Sequence, residues 1–394
     1  MMSGELVVGI VGAGAMGGGI AQVAATAGHR VILGDVNPVA AGKARATIAK
    51  ALSREVEKGR MDQATAATIA ERIGEAGDVS GGYAAFADCG LVVEAVLEDL
   101  DVKRSLFTAL EHAVDAKCVL ATNTSSLSVT AIGAACTHAE RVVGIHFFNP
   151  AVLMPLVEIV PGLATAAEVL GSAQAMVAGW RKTTVIASDT PGFIVNRIAR
   201  PFYSESLRML EEGIADIATI DWAMRELGGF RMGPFELMDY IGNDVNHAVT
   251  SSVFDAFYHD SRYRPSMIQR RLVDAGWYGR KSGRGFYDYR EGAVRPEPMR
   301  DPALGQRMVD RVIAMLVNAA VDALHMGVAS AADIETAMTK GVNYPKGLLA
   351  WGDELGATEV LTRLATLQEA YGEERYRPSP LLRQRAREHA PLLG

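Results

Sequence analysis

Three glycines near the start of the chain constrain its fold more than any other feature. Residues 5–35 read ELVVGIVGAGAMGGGIAQVAATAGHRVILGD. An apolar, valine-rich run (Leu6–Val11) leads into Gly12-Ala13-Gly14-Ala15-Met16-Gly17. A helix-like stretch follows, and a second apolar run (Arg30–Gly34) ends at Asp35. Taken alone, Gly-x-Gly-x-x-Gly is a weak signal. Set between a strand and a helix, with an acidic residue closing the next strand, it is the fingerprint of a dinucleotide cradle. Gly12 permits the tight turn, Gly14 lets the backbone approach a pyrophosphate, and Gly17 lets the helix pack close to the sheet. The N–H groups that open the helix bind the phosphates, so the whole loop from Gly12 to Gly17 is expected to hold the cofactor. Asp35 accepts from ribose hydroxyls and repels a 2′-phosphate, and Val36 and Asn37 supply no cation. The pattern predicts NAD in preference to NADP, with FAD as the alternative for the same loop.

The alternation of short apolar runs and helical stretches continues. LVVEAV (91–96), CVLATN (118–123), VVGIHFF (142–148), LVEIV (156–160) and TTVIAS (183–188) are further strand candidates. Runs of this kind argue for an α/β fold, a Rossmann-type doubly wound and mostly parallel sheet with helices on both faces. Residues 38–73 carry two helical patterns split near Gly59 and read as a helical hairpin insertion. From Pro191 strand signals fade and helical periodicity takes over. The turn-rich WYGRKSGRGFYDY (277–289), followed by Pro296, Pro298 and Pro302, reads as a linker. Residues 197–242 align without gaps with 311–356 at a constant offset of 114, and 11 of the 46 positions are identical. The matched glycines and a shared Asp-x-x-Gly ending indicate a duplicated helical domain rather than a solenoid. The expected organisation is a nucleotide-binding domain over 1–188 and two tandem all-helical domains over 189–292 and 293–394.

Bulk properties exclude several function classes. The net charge is −7 and no long Lys/Arg block occurs, which argues against nucleic-acid or membrane-surface binding. Cys89, Cys118 and Cys136 are scattered and form no Cys-x-x-Cys, so neither a disulfide framework nor a metal site is expected. No stretch has the length and apolar character of a membrane span, and the N-terminus lacks the features of a signal peptide. A cytoplasmic location is the expectation.

His146 interrupts an apolar run near the carboxyl end of a strand, where doubly wound sheets bind ligands. Twelve residues on, Glu158 interrupts another. A buried carboxylate is costly alone, so a pairing makes sense of both residues. Glu158 would orient His146, which would take a proton. ATNTSS (121–126) places small hydroxyl and amide side chains at another strand end, fit either to bind a ligand or to cap a helix. DTPGFIVNRI (189–198) lies where sheet gives way to helices and carries Asn196.

At these residues the sequence resembles the 3-hydroxyacyl-CoA dehydrogenase family. The matches are GAGAMG (12–17), VVEAVLED (92–99), NTSSL (123–127), HFFNP (146–150), LVEIV (156–160), DTPGFIVNR (189–197), MGPFELMDYIG (232–242) and KSGRGFYDY (281–289), in the family's order and spacing. The resemblance implies an NAD-linked, reversible oxidation of a 3-hydroxyacyl-CoA. It gives His146 the role of base and Glu158 that of its orienting carboxylate. Ser125 and Asn196 would hold the substrate oxygen, and Glu98, Lys103, Ser125 and Asn149 would contact NAD beside Asp35. Lys58 falls where the family places a lysine on the CoA phosphates, although the serine that accompanies it is Ala51 here. The second helical copy and RPSPLL (377–382) are similar to bacterial forms acting on 3-hydroxyadipyl-CoA, while 3-hydroxybutyryl-CoA enzymes share the core motifs. The resemblance further implies an acyl-CoA as partner and a monomer or homodimer. The second copy would then cover the surface that single-copy relatives use to dimerise. A lysine-dependent dehydrogenase of free 3-hydroxy acids is a rival that would need a lysine where Asn196 stands. A non-catalytic relative is another, and it should have lost the His146–Glu158 pair.

Overall fold

The computed structural model describes residues 6–393. The chain divides into two compact units, 1–190 and 191–394. In the first, eight strands form one sheet: β1 (Val7–Val11), β2 (Arg30–Asp35), β3 (Ile73–Asp78), β4 (Leu91–Glu94), β5 (Val119–Thr122), β6 (Val142–Phe147), β7 (Leu156–Pro161) and β8 (Thr183–Ile186). Their order is β3-β2-β1-β4-β5-β6-β7-β8. Neighbours are parallel throughout except β6 and β7, which run antiparallel. The sheet therefore reverses its winding between β1 and β4, the point at which such sheets bind ligands beyond their carboxyl ends. β4, β5 and β6 are buried along their whole length, as parallel strands covered on both faces must be.

Helices α1 (Ala15–Thr26), α2 (Ala40–Glu57), α3 (Gln63–Glu71), α4 (Leu100–Ala113), α5 (Val129–Gly133) and α6 (Ala167–Gly179) complete this unit. α2 and α3 form the hairpin read from 38–73, with Gly59 at a left-handed φ of 67° between them. The hairpin is followed directly by β3, which the sequence reading lacks. Its residues, IGEAGD, include two glycines and two acids, all poor strand formers. It pairs only with β2, at the sheet edge, where an apolar run is not required.

The second unit holds α7 (Val195–Ile198), α8 (Arg200–Glu211), α9 (Ile217–Trp222), α10 (Pro234–Ile241), α11 (Asn243–Ala256), α12 (Met267–Asp274), α13 (Pro302–His325), α14 (Ala331–Gly341), α15 (Leu348–Leu355), α16 (Ala357–Tyr371) and α17 (Pro380–Glu388). The 114-residue offset recurs in three dimensions. α9 and α14 start 114 apart, and so do α11 and α16. α10 and α15 share both bounds at that offset. Asp216 and Ser330 each cap a helix by accepting from the N–H three residues on. The amides of Phe235 and Glu236 donate to Asp221, and those of Leu349 and Ala350 donate to Glu335. Residues 293–394 form no compact unit of their own, however. They share one with 191–292.

The pairing of charges explains why. Arg197 reaches Asp322 at 3.2 Å, and its offset partner Arg311 reaches back to Glu205 and Glu212 at 2.8 and 2.7 Å. Each sequence copy thus supplies an arginine to a carboxylate of the other. The stretch 277–289, read as a linker, is in fact pinned down. Buried Asp239 accepts from the amides of Phe286 and Tyr287, and the Tyr287 hydroxyl donates to Asp221 at 2.8 Å. The connection proper is the exposed run over 291–297.

Candidate active site

The glycine loop follows β1 and opens α1. Gly12 adopts φ 103°, and a β-carbon there would lie 2.4 Å from the Ala95 carbonyl oxygen. A β-carbon on Gly17 would lie 1.7 Å from the Gly12 oxygen, so only glycine lets α1 start so close to the turn. Gly14 is different. It is exposed, and a β-carbon there would meet nothing within 4 Å. No side chain caps the α1 N-terminus and no acidic residue occupies its first turn, which leaves the positive end of the helix dipole facing open space. That suits a pyrophosphate. Asp35 stands at the end of β2, its Oδ2 accepting from the Ala13 amide at 2.7 Å and its Oδ1 from the Asn37 amide at 2.8 Å. The residues present fit NAD. Replacing Asp35 by serine is expected to narrow the preference for NAD over NADP; equal specificity constants for the two cofactors in the wild type would overturn that role.

His146 and Glu158 are register partners across the antiparallel β6–β7 pair. His146 Nδ1 lies 2.6 Å from Glu158 Oε2, with the two residues 4% and 0% exposed. The pairing follows from the strands alone, since directly opposed residues in an antiparallel ladder project to the same face. The ring of Phe148 packs on the imidazole at 4.5 Å between centroids. At the end of neighbouring β5, Asn123 Oδ1 accepts from the Phe147 amide at 2.8 Å and so fixes the strand end that carries His146.

Ser125 sits in the loop after β5 and is held by Glu98, whose Oε1 accepts from its amide at 2.9 Å and from the Thr124 hydroxyl at 2.6 Å. Burial alone would raise the Glu98 pKa, but the Lys103 charge, the Thr124 hydroxyl and the Ser125 amide outweigh it and hold it below the ordinary value. Lys103, expected beside NAD, is 1% exposed, with Nζ 2.5 Å from Glu94 and 3.2 Å from Glu98. Glu94, absent from the sequence reading, is fully buried and also accepts from the Thr122 hydroxyl and the Val96 amide, both at 2.7 Å. Its signal was present: an ionisable residue inside an apolar strand, as at His146.

Asn149 is exposed just beyond β6 and joined to Pro150 by a cis peptide bond. Asp189 caps α5, accepting from Ser128, Val129 and Thr130. Asn196 lies on α7 in the helical unit, half-buried. Lys58 ends α2 in an exposed pair with Glu55 at 3.3 Å. Among the described residues no group of three or more His, Cys, Asp or Glu side chains could hold a metal ion, and no helix is long and apolar enough to cross a membrane.

A doubly wound sheet with a glycine loop after its first strand, an aspartate at the end of the second and a buried His–Glu pair at a strand end is the architecture of an NAD-binding dehydrogenase. The chain belongs to the 3-hydroxyacyl-CoA dehydrogenase family. The family's NAD-binding domain matches residues 7–190, and its C-terminal domain matches twice, over 192–289 and 308–391. The chain is 40% identical to a 3-hydroxyadipyl-CoA dehydrogenase of Escherichia coli K12 over 98% of both chains. It is also 40% identical to a 3-hydroxybutyryl-CoA dehydrogenase of Bradyrhizobium diazoefficiens, over 74% of this chain and 98% of the other. The crystal structure of a 3-hydroxybutyryl-CoA dehydrogenase from Escherichia coli K12 superposes with a TM-score of 0.90 at 39% identity, covering 98% of this chain and 99% of that one. The protein is an NAD-dependent oxidoreductase of this family.

Proposed function

We propose that the protein oxidises a (3S)-3-hydroxyacyl-CoA reversibly to the 3-ketoacyl-CoA, in the breakdown of fatty acids or of phenylacetate and dicarboxylates. The observation that carries this reading is the buried His146–Glu158 pair. In this reading Glu158 accepts as a carboxylate from His146 Nδ1, which leaves Nε2 as the nitrogen that takes the proton. His146 takes the hydroxyl proton of the substrate through Nε2, and Glu158 stabilises the imidazolium that forms. Bound NAD supplies the acceptor for the hydride that leaves C3. Ser125 and Asn196 hold the oxygen as it becomes a carbonyl. Glu98, Asn149 and Asp35 contact the cofactor, and Lys103 positions Glu98. A panel of 3-hydroxyacyl-CoA thioesters of increasing acyl length, followed by NADH absorbance, tests the reading; no NAD reduction with any of them would end it.

In the same reading Lys58 binds a CoA phosphate. Its pair with Glu55 is exposed, worth little, and easily exchanged for a phosphate. Lys58→Ala is expected to raise KM for CoA thioesters while keeping most of the turnover, because such a contact is shared by ground and transition states. Pantetheine substrates should be spared. Equal effects on both substrate types would count against the contact.

Residues 293–394 act as a scaffold copy without a second active site. At the constant offset Asn196 becomes Asp310, and the Gly-Pro-Phe-Glu of 233–236 becomes Gly-Leu-Leu-Ala. The crossed pairs Arg197–Asp322 and Arg311–Glu205 support the view that this copy covers a face which single-copy relatives bury by dimerising.

A further inference from the structure

Six arginines are buried among the described residues: Arg141, Arg197, Arg200, Arg208, Arg311 and Arg375. Of these, Arg200 alone has no carboxylate oxygen within 4.0 Å. It opens α8 at 4% exposure, and its Nη1 donates to the Thr250 hydroxyl at 3.0 Å. Its Nε has no hydrogen-bond partner among the described residues. One and two helical turns further on, the Ser204 hydroxyl and Arg208 Nε are buried in the same condition. Burial pushes the pKa of both arginines below the ordinary value, and the Arg375 charge adds to the effect at Arg208.

Arg200, Ser204, Arg208, Thr250 and Arg264 line one small cavity with a single carboxylate, Glu211, which already accepts from the Ser266 hydroxyl at 2.6 Å. Three cations thus face one anion. Buried donors without an acceptor, and buried cations without a counter-charge, are both costly, so a fold that keeps them together invites an ion. The second copy shows that helix packing does not require them. At the 114-residue offset Arg200, Ser204 and Arg208 become Ala314, Asn318 and Asp322. There the polar groups are satisfied within the chain: Asn318 accepts from the Ser379 amide and donates to the Arg377 carbonyl, and Asp322 pairs with Arg197 and Arg262.

We propose that this cavity is a chloride site, in which the ion accepts from Arg200 Nε and the Ser204 hydroxyl in the positive field of Arg208 and Arg264. Size selects a single atom. The space is about 10 Å³, room for one water-sized group, and neither a carboxylate nor a phosphate fits it. Charge selects against water, which would satisfy the donors but leave Arg200 without a counter-charge. Chloride supplies both. The Thr250 hydroxyl cannot take that role, since it accepts from Arg200 and donates onward to the Asn246 carbonyl at 2.9 Å. The site lies within the helical unit and does not depend on the reaction proposed above. Its occupancy acts on the stability of that unit.

The test measures Tm of the full chain in mixtures of sodium chloride and sodium gluconate at constant ionic strength, gluconate being too large for the cavity. A tenfold rise in chloride beyond its Kd is expected to raise Tm by about 3–5 °C, the linkage for an ion that binds only the folded state. Arg200→Met should abolish this dependence whatever its own Tm, and Ser204→Ala should move it to higher chloride. Crystals of the wild type grown in sodium bromide should show an anomalous-scattering peak within hydrogen-bond reach of Arg200 Nε. Equal Tm in chloride and gluconate, an Arg200→Met chain that keeps the wild-type dependence, or a cavity that holds water in place of bromide would each overturn the proposal.

Discussion

His146→Gln is expected to lower turnover by roughly 10²–10⁴-fold, the usual contribution of a positioned general base, with little change in NAD affinity. Glutamine keeps a hydrogen bond to Glu158 and much of the volume but cannot carry a proton away from the substrate. Cofactor binding is a fair control because the glycine loop and Asp35 belong to other strand ends, and Asp35 is anchored by the Ala13 and Asn37 amides. Turnover by stopped-flow and NAD affinity by fluorescence titration separate the two effects. A variant with near-normal turnover would remove His146 from its assigned role. An equal loss in NAD affinity would instead indicate a disturbed sheet.

Glu205→Gln is expected to destabilise the helical unit by about 3–5 kcal/mol, the cost of leaving buried charges without their partner. Glu205 is 1% exposed and accepts from Arg311 Nε at 2.8 Å and from the Tyr376 hydroxyl at 3.1 Å, with Arg375 Nε at 3.4 Å. Glutamine matches its shape and withdraws the charge, leaving Arg311 and Arg375 to share Glu212, with Glu373 beside Arg375. For a unit of this size the loss corresponds to a fall in Tm on the order of 10 °C. Thermal and denaturant unfolding give the measurement. A shift within about 2 °C would mean that Glu212 alone neutralises the arginines.

The sheet was legible where burial on both faces forces a mostly apolar strand, as at LVVE and VVGIHF. It was illegible at β3, an edge strand whose pairing on one side tolerates glycine and acidic residues. The His146–Glu158 pair was readable because an ionisable group inside an apolar run needs a partner, and each residue supplied the other's. The same rule marks Glu94, whose partners Lys103 and Thr122 lie on other elements and offer no local cue. The stretch 277–289 was misread because glycine-rich turns look alike whether free or pinned. What pins it is Asp239, 47 residues before Phe286 in sequence.

The crossed arginine–carboxylate pairs have a consequence for how such a chain can change. When two identical chains meet across a twofold axis, every substitution arrives twice and must suit both halves at once. Here Arg197 and Arg311 answer to different carboxylates, Asp322 in one case and Glu205 with Glu212 in the other. Each half therefore drifts on its own terms while the seam between them holds. One half is free to keep Arg200, whose guanidinium donates to the Thr250 hydroxyl, where the other carries only Ala314.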